Sequence, residues 1–369
     1  MNVLIACDKF KGSLNAVEVA AAVERGWRAG IGEGATSEVT YLSCPIADGG
    51  EGFVDTMLVA LGGESCKVEV QDALGSEVES RYGMHRKTAI LEMAEASGLW
   101  RIAEGERSVI DSSTYGTGQL IRAAVRQGAE KILLGVGGSA TNDGGAGMAA
   151  ALGWRFLNEE GKELQPIPRE LADLAFIEPP KNLLEVEIEV ACDVDNLLLG
   201  SLGATAVYGP QKGADRFDRD FLEAFLEHLM VISGQENLAT IPGSGAAGGL
   251  AWGLMAFANA KLRPGFDIVA EAVSLREKVR AADWVITGEG ALDEQSLQGK
   301  GPVGVARIAK EEGKKTMAVA GYVSPEIHAS ELFDYAVSLR DTNLPLVQLI
   351  AQAPSLIEQE VAKAVSQFC

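Results

Sequence analysis

Histidine is scarce in this chain, with three residues at positions 85, 228 and 328. No Ser-His-Asp or Cys-His order is suggested by so few, and no Cys/His pair has the spacing of a metal-ligand set. The five cysteines, Cys7, Cys44, Cys66, Cys192 and Cys369, are odd in number, widely spaced and without a CxxC. That pattern argues against a disulfide framework and reads as reduced thiols in a cytoplasmic protein, with Cys7 and Cys44 in apolar strand-like runs. Apolar runs near 20 residues are absent, so no membrane span is expected. Residues 2–7, followed by Asp8-Lys9, read as a short strand and not as a signal peptide. Basic residues are outnumbered, 32 Lys and Arg against 52 Asp and Glu, for a formal net charge of −20. So acidic a chain is a poor candidate for nucleic-acid or anionic-membrane binding, and most of the charge serves solubility. An anionic small molecule stays open, because a site needs only a few cations and backbone N–H groups.

Glycine, by contrast, is abundant: 43 of 369 residues, against a usual share of roughly 7%. The glycines come in bursts beside Asp, Ser, Thr and Asn, which suits tight turns and close backbone approach to a ligand. The length suggests two domains. Apolar and polar runs alternate as strand and helix through residues 3–61: strands at 3–7 and 38–43, helices at 16–29 and 53–61. Such units make a parallel sheet. Residues 67–71, 77–82 and 88–93 alternate at period two and read as an antiparallel meander. The α/β rhythm returns with a helix at 120–126, a strand at 131–136 and a small-residue helix at 144–152. Residues 154–181, with Pro166, Pro168, Pro179 and Pro180, read as irregular. From 283 onward strands at 283–287, 315–320 and 335–339 alternate with helices, and 346–368 is read as largely helical. The α/β class follows. Residues 1–65 and 283–369 form one discontinuous domain, with part of 110–150 left open, and about 66–282 form the other.

Five polar, glycine-rich segments follow strand ends, the edge where open α/β sheets bind ligands. Asp8-Lys9-Phe10-Lys11-Gly12-Ser13 offers two cations to phosphate or carboxylate oxygens, or is a solvated loop before a helix capped by Ser13 or Asn15. Asp48-Gly49-Gly50-Glu51-Gly52 offers carboxylates for Mg²⁺ or for a hydroxyl proton. Residues 135–145 (GVGGSATNDGG) can aim several N–H groups at an anion. Cys192-Asp193-Val194-Asp195-Asn196 pairs two acids for metal or base work, and Gly209-Pro210-Gln211-Lys212 adds a cation. Residues 287–293 (TGEGALD), running on to Ser296 and Lys300, look like a phosphate or nucleotide site. The residue types suit phosphoryl transfer, which asks for positioning and charge neutralisation. Gly135, Gly137 and Ala140 also satisfy the dinucleotide fingerprint, with Glu159 or Glu160 at the expected distance. An NAD(P)-dependent dehydrogenase of a small hydroxy acid and a non-catalytic ligand-binding protein are therefore the alternatives.

Taken together, residues 8–14 (DKFKGSL), 45–52 (PIADGGEG), 92–99 (EMAEASGL), 113–118 (STYGTG), 137–145 (GGSATNDGG), 192–196 (CDVDN), 209–214 (GPQKGA), 242–249 (PGSGAAGG) and 287–300 (TGEGALDEQSLQGK) resemble the bacterial glycerate kinase family of the 2-phosphoglycerate-forming type. Ala73 and Leu197 stand where that family usually has proline. The resemblance implies a flavodoxin-like parallel-sheet domain and a mixed-sheet α/β domain with a cleft between them. It implies the substrates ATP and D-glycerate together with Mg²⁺, and no nucleic-acid or membrane partner; self-association is left open. On these segments, Lys9, Lys11, Ser13 and Lys212 are the candidates for binding substrate, with Lys9 and Lys11 also meeting the transferring phosphoryl group. Gly137, Gly138, Ser139, Thr141, Asn142, Gly288, Glu289, Gly290 and Ser296 are the candidates for nucleotide. Asp193 or Asp48 is the candidate base, and Asp195 or Asp293 the candidate contact to Mg²⁺.

Overall fold

The computed structural model describes residues 1–32, 39–47, 49–50, 52–294, 296–298 and 301–367. The chain divides into two compact units: Met1–Asp48, Val59–Leu61 and Val269–Cys369 form one, and Gly49–Leu58 and Gly62–Ile268 form the other.

The first unit is built on a five-stranded parallel sheet. Its order is Tyr335–Ser338, Lys315–Ala320, Trp284–Thr287, Asn2–Ile5, Thr40–Ser43. Counted along the chain this is 2-1-3-4-5, the flavodoxin-like order, which reverses direction between the first and third strands. The apolar runs are continuous because helices cover both faces of the central strands, so all four residues of Trp284–Thr287 are buried. The helix Ala16–Ile31 starts at Asn15, whose side chain accepts the Glu18 N–H at 2.9 Å while Glu18 accepts the Asn15 N–H at 2.9 Å. Its Gly26 and Gly30 face the helix Ala353–Val365, where an added Cβ would stand 2.6 Å from Glu358 O and 2.7 Å from Val365 Cβ respectively. Two helices approach this closely only across residues without side chains.

The C-terminal stretch differs from the single long helix expected. It breaks into Leu346–Ala351 and Ala353–Val365. Pro354 has no N–H to offer the carbonyl of Ile350, and that carbonyl instead accepts the Ser13 hydroxyl at 2.9 Å.

The second unit carries a six-stranded mixed sheet in the order Lys261–Arg263, Glu187–Ala191, Lys131–Gly135, Thr88–Glu92, Glu77–His85, Glu64–Gln71. The first four strands are parallel, and the last three make the antiparallel meander. Residues 154–181 are less irregular than expected. Arg155–Leu157 and Phe176–Glu178 pair antiparallel, and Pro168–Leu171 forms a helical turn. Strands of three residues are too short to show a period, yet they bury Phe156 and join Arg155 to Glu178 at 2.7 Å. The fold is thus α/β, with one flavodoxin-like and one mixed-sheet domain. No helix among the described residues is long and apolar enough to cross a membrane.

Candidate functional site

In the parallel unit the loops after four strands gather at the carboxyl edge of the sheet. They line a pocket of about 570 Å³ that includes Asp8, Lys9, Lys11, Glu289, Tyr322 and Arg340. The pocket lies at the switch point, beside the first and third strands, where an open sheet leaves a crevice. Backbone contacts fix its floor. The Asp8 N–H donates to Gly288 O at 2.8 Å and the Tyr322 N–H to Gly290 O at 3.2 Å. Gly321 allows this approach, since a Cβ there would stand 2.5 Å from Gly290 O. Asp8 is buried, and its Oδ1 accepts the Lys9 N–H at 2.6 Å. Ser296 donates its hydroxyl to Glu289 at 2.8 Å, and its N–H reaches Asp293 Oδ1 at 3.3 Å. Lys9, Lys11, Ser13, Glu289 and Gly290 therefore meet at one pocket. Asp293 and Ser296 brace the Glu289 side, and Gly288 packs behind against Val319.

The sequence reading missed Arg340 and Tyr322. The Arg340 guanidinium lies over the Tyr322 ring, 4.8 Å from its centre. Both follow strand ends, and that position is the signal that could have found them.

In the mixed unit, the segment 137–143 leaves the strand Lys131–Gly135 and turns inward. Gly138 is exposed, Ser139 is buried, and Thr141, Asn142 and Asp143 have no exposed surface. Asn142 Nδ2 donates to Thr205 Oγ1 at 2.8 Å. Asn142 Oδ1 and Thr141 Oγ1 are buried without a hydrogen-bond partner among the described residues. Asp143 is the hub. It accepts the Thr114 N–H and hydroxyl, each at 2.7 Å, and the N–H groups of Gly145 and Gly147, each at 3.0 Å. Burial pushes its carboxyl up from the usual range, and these four donors pull it back.

Lys212 lies deep in the same unit. The sequence offered it as a cation for substrate, whereas its side chain is 2% exposed and donates to Thr141 O at 2.7 Å. In this arrangement it holds the glycine loop. Burial pushes its ammonium down to about 7, and the Asp143 carboxylate acts the other way. An unfolded lysine titrates near 10.5, so between these values the unfolded chain binds more protons and stability rises with pH. The wild type is expected to gain about 2 kcal/mol over Lys212→Met between pH 7 and pH 9, read from urea unfolding at the two pH values. A constant difference would remove the buried ammonium from the account.

Of the candidate acids, Asp193 follows the strand Glu187–Ala191, and its Oδ1 accepts the Gly265 N–H at 2.9 Å, where the helix Gly265–Ala272 begins. Asp195 is exposed two residues on. Neither Asp195 nor Asn196 caps a helix here; Asn196 accepts the Tyr208 hydroxyl at 2.9 Å. Asp48 lies outside the described residues. Glu92, which the sequence reading did not single out, ends the strand Thr88–Glu92. It accepts the N–H groups of Val54 at 2.8 Å and Gly52 at 3.2 Å, closing the start of the helix Phe53–Leu61. Burial raises it to about 7 against those two donors, so this carboxyl exchanges its proton near neutral pH. Among the described residues no three His, Cys, Asp or Glu side chains converge as a metal cage. Mg²⁺ that enters with a nucleotide needs only one or two carboxylates, because phosphate oxygens and waters complete its octahedron.

The dinucleotide fingerprint lacks its structural context. It requires a helix to open at the glycine turn and an acid ending a neighbouring parallel strand. The helix here starts only at Ala146 and is six residues long. Glu159 and Glu160 follow a strand of the small antiparallel hairpin.

Comparison with known proteins agrees with this geometry. The model of the glycerate kinase family matches residues 3–369. A glycerate kinase from Halalkalibacterium halodurans is 45% identical over 367 residues, covering 97% of this chain and 95% of that one. The glycerate 2-kinase of Escherichia coli strain K12 is 40% identical over 337 residues, covering 89% and 87%. A crystal structure assigned to glycerate kinase 2 of Salmonella typhimurium LT2 superposes with a TM-score of 0.86 at 38% identity, covering 100% of this chain and 96% of that one.

Proposed function

The chain belongs to the glycerate kinase family, and from that premise we propose that it moves the γ-phosphoryl group of ATP onto D-glycerate, releasing 2-phosphoglycerate and ADP. The observation that carries this reading is the gathering of Lys9, Lys11 and Arg340 at one pocket on the carboxyl edge of the parallel sheet. An otherwise acidic chain concentrates cations where the reaction has its charge. The 2-position is supported by the name of the Escherichia coli relative.

In this reading Lys9 and Lys11 neutralise ligand oxyanions, with Ser13 and Glu289 at the wall of the same pocket. Half-buried Gly137 and exposed Gly138 are read as a second cradle for oxyanions, with buried Ser139, Thr141 and Asn142 following them. Mg²⁺, held by Asp293 or Asp195, supplies charge neutralisation on the nucleotide phosphates. The glycerate hydroxyl oxygen bonds to the γ-phosphorus as the bond to the ADP oxygen breaks, and the hydroxyl proton passes to a carboxylate. Asp193 and Asp48 are the two candidates. The reading places the enzyme in the cytoplasm, which suits its buried Cys7 and Cys44 thiols.

Asp193→Asn separates two roles for that side chain. As the base, the substitution lowers kcat by roughly 10² or more with little change in unfolding midpoint. As an acceptor for the helix start only, asparagine keeps an oxygen for the Gly265 N–H, so both stability and kcat stay near normal. Steady-state ADP formation with D-glycerate, read beside urea unfolding, decides between them.

A further inference from the structure

The first N–H groups of a helix need acceptors from outside it. The helix Phe53–Leu61 has no side-chain acceptor at its own cap, where Gly52 stands with a left-handed backbone. The acceptor comes from a strand end far along the chain. Glu92 takes the Gly52 N–H on Oε2 at 3.2 Å and the Val54 N–H on Oε1 at 2.8 Å. A serine or asparagine at 52 would cap the helix by itself. An acid on the sheet also ties the helix start to the sheet.

The strand ends are shaped to receive that tie. Glu92, Gly135 and Ala191 are lateral neighbours on three adjoining parallel strands, so their side-chain positions share one face. The glycine turn lies along this row. A Cβ on Gly49 would stand 2.5 Å from Ala191 Cβ, and one on Gly135 would press into the Gly49 carbonyl oxygen. A Cβ on Gly137 would stand 3.0 Å from Gly50 Cα. The turn is thus packed between the sheet edge and the glycine loop, with the buried Glu92 carboxylate as its clasp.

We propose that Glu92 is a positioning residue for phosphoryl transfer, whose carboxylate holds the turn at 49–54 on the strand ends and sets its place beside Gly137. The inference rests on the kinase reading. A carboxylate offers one oxygen to each N–H, whereas a protonated acid or an amide turns one of its two polar atoms into a donor. The clasp is therefore full above the titration of Glu92, which burial raises to about 7, and weakened below it. Glu95 acts in the same direction as burial and Arg81 against it. Arg81 in turn binds Glu95 at 2.9 Å and Asp55 at 2.8 Å. Asp48 and Glu51, the acids of the same segment, lie outside the described residues. Because this carboxyl titrates above its ordinary 4.5, the folded chain binds more protons between 4.5 and about 7, and the stability it contributes falls as pH rises there. Activity is expected to rise over the same interval, so a loss on the acid side is not unfolding through this group.

The test follows ADP formation by the full chain and by Glu92→Gln, with saturating ATP, Mg²⁺ and D-glycerate, from about pH 6 to about pH 9. The wild type is expected to lose kcat on the acid side with an inflection near 7. Glu92→Gln is expected to lose about tenfold in kcat at the alkaline end and to show a flatter acid limb, with KM for D-glycerate within about threefold. Lys212, also placed at about 7, titrates in both chains, so the difference between the profiles belongs to Glu92. Hydrogen exchange in the peptide 49–58 is expected to quicken in the variant. Gly135→Ala displaces the turn while leaving Glu92 in place, and is expected to lower kcat with the acid limb retained; it carries the test if Glu92→Gln fails to fold. Wild-type kcat and profile in Glu92→Gln, or wild-type kcat in Gly135→Ala, would overturn the inference and leave the kinase reading standing. Absence of glycerate-dependent ADP formation in the wild type at every pH would overturn the kinase reading and the catalytic role of Glu92 with it, while quickened exchange in the variant would still show the clasp.

Discussion

Lys9→Ala is expected to lower kcat/KM for D-glycerate by roughly 10²–10³-fold while leaving the fold intact. The magnitude is that of removing one prepositioned charge partner from a phosphoryl-transfer site. Lys9 follows the buried strand Asn2–Ile5, and its backbone is fixed by its own N–H to Asp8 Oδ1 at 2.6 Å. That bond survives the substitution, so the loop keeps its course while the cation is lost. The side chain is half-buried in a loop and leaves no core cavity behind. Lys11, exposed on the same loop, is expected to give a smaller loss, because water screens its charge more fully. Steady-state assays of ADP release with urea unfolding as the control measure both. A change under twofold for Lys9→Ala would reduce residues 8–13 to a solvated connection.

The second large effect is on stability. Asp143→Ala is expected to destabilise the chain by roughly 3–5 kcal/mol. Four hydrogen bonds end on this carboxylate, from Thr114 twice, Gly145 and Gly147, in a region without exposed surface. Alanine leaves those donors without partners, and each stranded buried donor costs about 1–3 kcal/mol. Thr114 Oγ1 in turn accepts the Met148 N–H at 2.9 Å, so the start of the helix Ala146–Ala151 loosens with it. The burial that holds the carboxyl above its usual range offsets part of the loss, which keeps the total below the plain sum. Asp143→Asn, which keeps one acceptor oxygen and the volume, is expected to lose about half as much. Urea midpoints measure both, and a loss under about 1 kcal/mol for alanine would mean that the carboxylate's desolvation cancels its bonds.

Much of this protein was legible in its sequence where the signal was local. Residues 315–320 and 53–61 were read with the bounds the structure gives, because a continuous apolar run and a helical period are properties of neighbouring residues. The family, carried by nine short segments, most of them rich in glycine, was legible for the same reason, and so was the α/β class. What was lost depends on distance along the chain. Thr114 and Asp143 are 29 residues apart, and no spacing rule joins them. Arg340 follows a strand without a glycine burst, and only the sheet order brings its loop to the pocket that Lys9 lines. Lys212 looked like a free cation because sequence carries a charge but not its depth; only the fold shows it under the glycine loop. The hairpin of Arg155–Leu157 and Phe176–Glu178 was too short to display a period.

The measurement that bears most directly on the account is ³¹P NMR of the products formed from ATP, Mg²⁺ and D-glycerate. The account predicts the signal of 2-phosphoglycerate rising with ADP and absent without glycerate. Unchanged ATP in the presence of folded protein and D-glycerate would contradict the kinase, and a 3-phosphoglycerate signal would contradict the position of transfer.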